Sequence, residues 1–78
     1  MSLEVIFPVM SQDDPTGEGV VGTWFALDGE TVSEGQLIAE VQVDKVSADV
    51  HAPATGVIHH RVPEEAATNQ GAVIADIE

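Results

Sequence analysis

The chemistry open to this chain rests on very few groups. Lys45 is its one lysine and Arg61 its one arginine; the three histidines are His51, His59 and His60, and cysteine is absent. Without thiols there is no cysteine nucleophile, no cysteine-ligated zinc and no disulfide, a composition that fits a reducing compartment. Adjacent residues of an extended strand point to opposite faces, so His59 and His60 do not chelate one ion together, and no phosphohistidine motif accompanies them. Asp13-Asp14 and Glu64-Glu65 are neighbours in sequence that seldom converge on one substrate atom, and they read as solvated loop charges. Gly17-Glu18-Gly19 lacks the strand-to-helix setting of a phosphate loop. The amine of Lys45 is what remains, and its use depends on the element that carries it.

The background to that amine is strongly acidic. Fourteen Asp and Glu residues against two basic ones give a formal net charge of -12. Such a surface repels phosphate backbones and anionic lipid heads, which sets aside nucleic acid and membrane surfaces as partners. No apolar run approaches the roughly 18–20 residues of a membrane span, and no basic segment followed by an apolar run marks a leader peptide. A cytoplasmic location is the expectation. Seventy-eight residues make one small domain over 1–78, which buries only about 60–65% of its unfolded surface.

Apolar residues alternate along the chain and do not recur at helical spacing. Val5, Phe7 and Val9 share one parity, as do Val21, Thr23, Phe25 and Leu27, and then Leu37, Ala39, Val41 and Val43. Period two means strands. Turn residues separate them at Asp13-Asp14-Pro15-Thr16-Gly17, Asp28-Gly29-Glu30, Ser33-Glu34-Gly35, Ala52-Pro53-Ala54-Thr55-Gly56 and Asn69-Gln70-Gly71. Short strands with turns at this spacing describe an all-β sandwich or barrel. The one helix-like piece, Pro63-Glu64-Glu65-Ala66-Ala67, is long enough for a single turn only. Trp24 reads as half-buried packing.

The two halves also echo each other. Gly35-Gln-Leu-Ile-Ala-Glu-Val41 and Gly71-Ala-Val-Ile-Ala-Asp-Ile77 lie 36 residues apart, and Gly19-Val20 and Gly56-Val57 lie 37 apart. Two copies of one unit, neither able to cover its own apolar face, bury those faces against each other.

Between 38 and 51 the pattern fixes a register. A two-residue turn at Asp44-Lys45 pairs Val43 with Val46, Val41 with Ala48 and Ala39 with Val50 on one face. The other face then sets Gln42 against Ser47, Glu40 against Asp49, and Ile38 against His51. Lysine is an unusual choice for a tight turn whose central positions favour positive φ, and Glu40 opposite Asp49 is a mildly repulsive pair. Local rules that lose without structural gain mark candidate functional sites. Lys45 is the sole ammonium side chain, it sits at a hairpin apex, and the 36-residue offset would place its counterpart at 81, past Glu78. Such a lysine suits an enzyme that identifies an amine by shape and position and supplies the activation itself.

These residues resemble the lipoyl domain of 2-oxo acid dehydrogenase complexes, within the biotinyl/lipoyl attachment family. The resemblance lies in Asp28-Gly29-Glu30-Thr31-Val32-Ser33-Glu34-Gly35-Gln36-Leu37-Ile38, in Glu40-Val41-Gln42-Val43-Asp44-Lys45-Val46, and in Ala52-Pro53-Ala54-Thr55-Gly56-Val57-Ile58, in the family's order and spacing. Phe7-Pro8 and Glu18-Gly19 with Trp24 match its N-terminal signature, and Gly29 and Gly56 match glycines that flank the modified lysine. Gln42 and Val43 stand where many members carry Glu-Thr, which bears on which ligase recognises the hairpin.

The resemblance implies a flattened barrel of two four-stranded antiparallel sheets with quasi-twofold symmetry. It implies that Lys45 carries lipoic acid as a lipoyl amide, and that the domain is a non-catalytic swinging-arm carrier belonging to a dihydrolipoamide acyltransferase. The implied partners are the 2-oxo acid decarboxylase/dehydrogenase, the acyltransferase core, dihydrolipoamide dehydrogenase, and a lipoate ligase or lipoyl transferase. The isolated domain would be monomeric, and in a eukaryote it would lie in the mitochondrial matrix. Partner discrimination is expected in the loop Met10 to Glu18, near the lysine hairpin. Biotin carriers of this fold have Met on both sides of the lysine, whereas Asp44 and Val46 flank it here. A biotin carrier, a glycine-cleavage-type carrier and an unmodified barrel-sandwich module stand as alternatives.

Overall fold

Alternating strands cover a core on one side only, so a chain made of them must fold one sheet over another. The computed structural model describes residues 2–14 and 17–78. Eight strands form: β1 Leu3–Ile6, β2 Glu18–Trp24, β3 Thr31–Val32, β4 Leu37–Val43, β5 Val46–His51, β6 Gly56–His60, β7 Ala67–Asn69 and β8 Val73–Ile77. They make two four-stranded sheets, ordered β1-β8-β6-β3 and β5-β4-β2-β7, with every pairing antiparallel. Phe7, Val21, Val32, Ile38, Val41, Ile58, Ile74 and Ile77 are buried between them. Burying each such side chain contributes about 1.5–3 kcal/mol.

The internal echo is a physical symmetry. Advancing each strand of β5-β4-β2-β7 by four places around the cycle of eight gives β1-β8-β6-β3. Backbone bonds repeat with it: Gly29 N–H donates to Ile58 O and Glu65 N–H to Val21 O; Glu30 N–H donates to Leu27 O and Ala66 N–H to Pro63 O. The same conformation recurs, with positive φ at Gly29 and Gly35 in one half and at Glu65 and Gly71 in the other. Pro63 to Ala66 is therefore a β-turn matching Leu27 to Glu30, and the expected helical turn does not form.

Two aromatic rings meet where the halves join. Trp24 and His60, 36 residues apart, stack with centroids 3.9 Å apart and planes 14° from parallel. Their hydrogen bonds exchange under the same symmetry. Trp24 N–H donates to Glu64 Oε2 (2.7 Å) and His60 N–H to Asp28 Oδ1 (2.8 Å), while Trp24 Nε1 donates to Val62 O (3.1 Å) and His60 Nε2 to Ala26 O (2.9 Å). A carbonyl only accepts, so His60 carries its proton on Nε2. Trp24 is buried more completely than expected, and Glu64 is a cap on the Trp24 amide where a solvated charge was expected.

Two bulges change the expected faces. Between Val21 and Thr23 the β2–β4 register shifts, so the inward parity passes to Trp24 and Ala26, leaving Phe25 and Leu27 51% and 70% exposed. An extra residue on one strand does this by turning every later side chain over. Val9 lies beyond the end of β1 and is exposed.

Gly19 and Gly56 mark close approaches that any Cβ would block. A Cβ on Gly19 would lie 2.6 Å from Gln42 O and 2.7 Å from Phe7 Cζ; one on Gly56 would lie 2.1 Å from Glu78 O. Alanine at Gly19 should destabilise the domain by about 1–3 kcal/mol through overpacking, read as a lower urea midpoint. His60→Ala should cost about 1–3 kcal/mol through the lost stack and hydrogen bond. It should also change the emission of Trp24, the only tryptophan; unchanged emission would mean that the rings do not stack in solution.

Candidate functional site: the Lys45 hairpin

Lys45 is held out by a stem that cannot easily move. Strand β4 is bonded on one side to β5 and on the other to β2, and its Ala39 and Val41 are fully buried. The β4–β5 ladder pairs Val43 with Val46, Gln42 with Ser47, Val41 with Ala48, Glu40 with Asp49 and Ala39 with Val50, the register expected from the alternation. It departs at the base, where a bulge between Leu37 and Ala39 places Leu37 opposite His51 and turns Ile38 into the core. Ile38 thus does not share the outer face with His51.

At the tip, Asp44 and Lys45 form the two-residue turn and both are exposed. Asp44 takes the positive φ, 55°, and Lys45 does not. Aspartate is one of the few non-glycine types that adopt this conformation readily. The strain expected at the lysine therefore falls on its neighbour, and Lys45 is free of it. Among the described residues Lys45 makes no ion pair, whereas Arg61 pairs with Asp76. An exposed, unpaired amine on a braced turn fits covalent attachment of a long acyl group, because no local bond must break to free Nζ.

Shallow grooves flank the tip. One, of about 350 Å³, has the hairpin residues Val43, Asp44 and Val46 on one side and Met10, Ser11, Gln12 and Asp13 on the other. The described part of the loop after β1 therefore stands beside the lysine hairpin, as expected; Pro15 and Thr16 of that loop lie outside the described residues. A second groove is lined by Glu18, Gly19, Val20, Gln42 and Asp44. The surroundings are acidic on both sides, with Asp13, Glu18 and Asp44 all exposed.

The loop has an anchor that composition did not reveal. Gln70, buried at 3% exposure, accepts from the Met10 and Ser11 amides through Oε1 (2.7 and 3.0 Å) and donates through Nε2 to Asp14 O and Gly17 O (both 3.1 Å). In sequence Gln70 is one residue of a turn, and no local signal separates it from a solvated glutamine.

The histidines are dispersed. His51 is exposed at the end of β5, His59 lies 3.7 Å from Glu78, and His60 is occupied against Trp24.

The Biotin_lipoyl family model, described as "Biotin-requiring enzyme", matches residues 4–77. The chain belongs to this family. The biotin/lipoyl domain is 42% identical over 62 residues, 78% of this chain and 15% of the other, to the lipoamide acyltransferase component of the branched-chain alpha-keto acid dehydrogenase complex of Bacillus subtilis (strain 168). It is 32% identical over 68 residues, 87% of this chain and 16% of the other, to the dihydrolipoyllysine-residue succinyltransferase component of the 2-oxoglutarate dehydrogenase complex of Pseudomonas aeruginosa. It is 37% identical over 59 residues, 74% of this chain and 12% of the other, to the pyruvate dehydrogenase E1 component subunit beta of Rhizobium meliloti (strain 1021). The domain thus spans about 12–16% of the length of these relatives.

The tip geometry can be tested by itself. Asp44→Gly should leave stability within about 1 kcal/mol, whereas Asp44→Val should lose about 1–2 kcal/mol because a β-branched residue is poorly accommodated at positive φ. Equal urea midpoints for the two variants would contradict the turn conformation.

Proposed function

We propose that Lys45 is the attachment point of a lipoyl group, joined as an amide to Nζ, and that the domain is a swinging-arm carrier within a 2-oxo acid dehydrogenase complex. The observation that carries this is the sole lysine of the chain, exposed and unpaired among the described residues, at the apex of a hairpin braced by the core. Family membership and relatives named for lipoamide and dihydrolipoyllysine support the lipoyl cargo, as do Asp44 and Val46 on either side of the lysine.

When bound, the dithiolane supplies the chemistry, taking up acyl groups with reducing equivalents and giving them up at separate active sites. The domain's own residues supply position. The β4–β5 stem fixes where the arm starts, and tethering raises its effective concentration at each site it can reach. The -12 surface steers the domain toward basic faces on its partners and repels acidic ones. Those partners are the decarboxylating 2-oxo acid dehydrogenase, the acyltransferase core, dihydrolipoamide dehydrogenase and the ligase or transferase that loads Lys45. The loop beside the hairpin, from Met10 to Glu18, discriminates among them. In this reading the domain itself is not an enzyme.

Co-expression with lipoate ligase in lipoate-supplemented medium should add the mass of one lipoyl amide, and Lys45→Arg should abolish the increment. An unmodified mass, under conditions that load an established lipoyl domain, would sink the proposal. An increment of biotin with biotin ligase, and none of lipoate, would change the cargo.

A further inference from the structure

The quasi-twofold symmetry shows what has been added to the barrel on the lysine side. The connection from β5 to β6 is residues 52–55, and its counterpart from β1 to β2 is residues 7–17. The counterpart of Gln70 in the first half, 36 residues earlier, is Glu34, which is exposed. One half thus has a short connection and a solvated glutamate. The other has a long loop and a buried glutamine whose side-chain amide is spent entirely on that loop.

The hydrogen bonds tie described residues on both sides of the loop to one side chain. Gln70 Oε1 takes the amides of Met10 and Ser11 at the near end, and its Nε2 gives to Asp14 O and Gly17 O at the far end. Both acceptor positions and both donors of the amide are used. A carboxylate there offers no donors to the two carbonyls, and a shorter side chain reaches neither end. Gln70 does not line the groove beside Lys45, but Met10, Ser11 and Asp13, whose segment it holds, do.

We infer that Gln70 is the positioning residue for partner recognition: it holds the segment Met10 to Asp14 as a fixed wall beside the Lys45 hairpin, so that a dehydrogenase component meets lysine arm and segment as one rigid surface. This rests on the carrier reading above. Pre-ordering matters because a loop that must be ordered on contact takes its entropy from the encounter. The ligase that loads the lysine addresses the hairpin, and the hydrogen bonds of the Gln70 side chain go to the loop, so loading and recognition should separate.

The test uses Gln70→Ala and Gln70→Glu in the whole domain. Amide hydrogen exchange at Met10 and Ser11 should speed up at least 10-fold in Gln70→Ala. Gln70→Glu, which keeps the acceptor, should retain most of that protection while losing the tie to Asp14 and Gly17. Loading by lipoate ligase should stay within about twofold of wild type in both. Reductive acylation is measured with pyruvate, 2-oxoglutarate and branched-chain dehydrogenase components, and the most active pairing is followed. With it, KM should rise at least 10-fold in Gln70→Ala while kcat changes little. A core variant of matched thermal stability, Ile58→Val, should leave KM unchanged, which separates positioning from general destabilisation. Protection at Met10 and Ser11 that survives in Gln70→Ala overturns the inference, as does an unchanged KM after that protection is lost. A wild-type domain that gains no lipoyl mass defeats the carrier reading separately, while amide exchange still decides whether Gln70 holds the loop.

Discussion

Neither half of this chain can cover its own apolar face, and that constraint organises everything else. Each half contributes strands to both sheets, so the core exists only when the halves interlock. The stacked rings of Trp24 and His60 lie on the seam, each tied to the other half through its ring nitrogen and through a carboxylate on its backbone amide. A small domain without disulfides depends on such reciprocity, since its buried area leaves little margin. The rigidity of the lysine hairpin is borrowed from the same source, because β4 is an inner strand whose inward side chains belong to the shared core.

The sequence was most legible where one face of a hairpin is buried. Ala39, Val41, Val43, Val46, Ala48 and Val50 admit one register, since a slip of one residue would turn the whole set toward water. It was least legible where the chain inserts a residue. A mid-strand glycine is the sole mark of the bulge at Gly22 and nothing marks the one near Ile38, so alternation alone extends the inward face to Phe25 and Leu27 and sets Ile38 outward, the reverse of where they lie. The cap made by Glu64 and the anchor made by Gln70 are hidden for a related reason. Their partners lie 40 residues or more away, and nothing local distinguishes a polar side chain that caps a distant amide from one that meets only solvent.

The symmetry also separates what is shared from what is particular. The turns with positive φ, the blocked glycines and the capped rings occur in both halves and serve folding. The long loop after β1 and the buried Gln70 have no like counterpart in the other half, and the loop lies against the tip that carries Lys45. The proposed site thus coincides with the departures from symmetry. The loop lies outside the ladders of the stem that presents the lysine.

The scarcity of basic residues has a consequence for survival. Many proteases cut after lysine or arginine. Here such an enzyme finds only the bonds after Lys45 and Arg61. The first lies in a two-residue turn too tight to enter an extended cleft without opening the hairpin, and the proposed amide would remove its charge. The second follows a guanidinium already engaged by Asp76. A composition with one lysine and one arginine leaves the folded chain nearly without cleavage sites for proteases of this specificity.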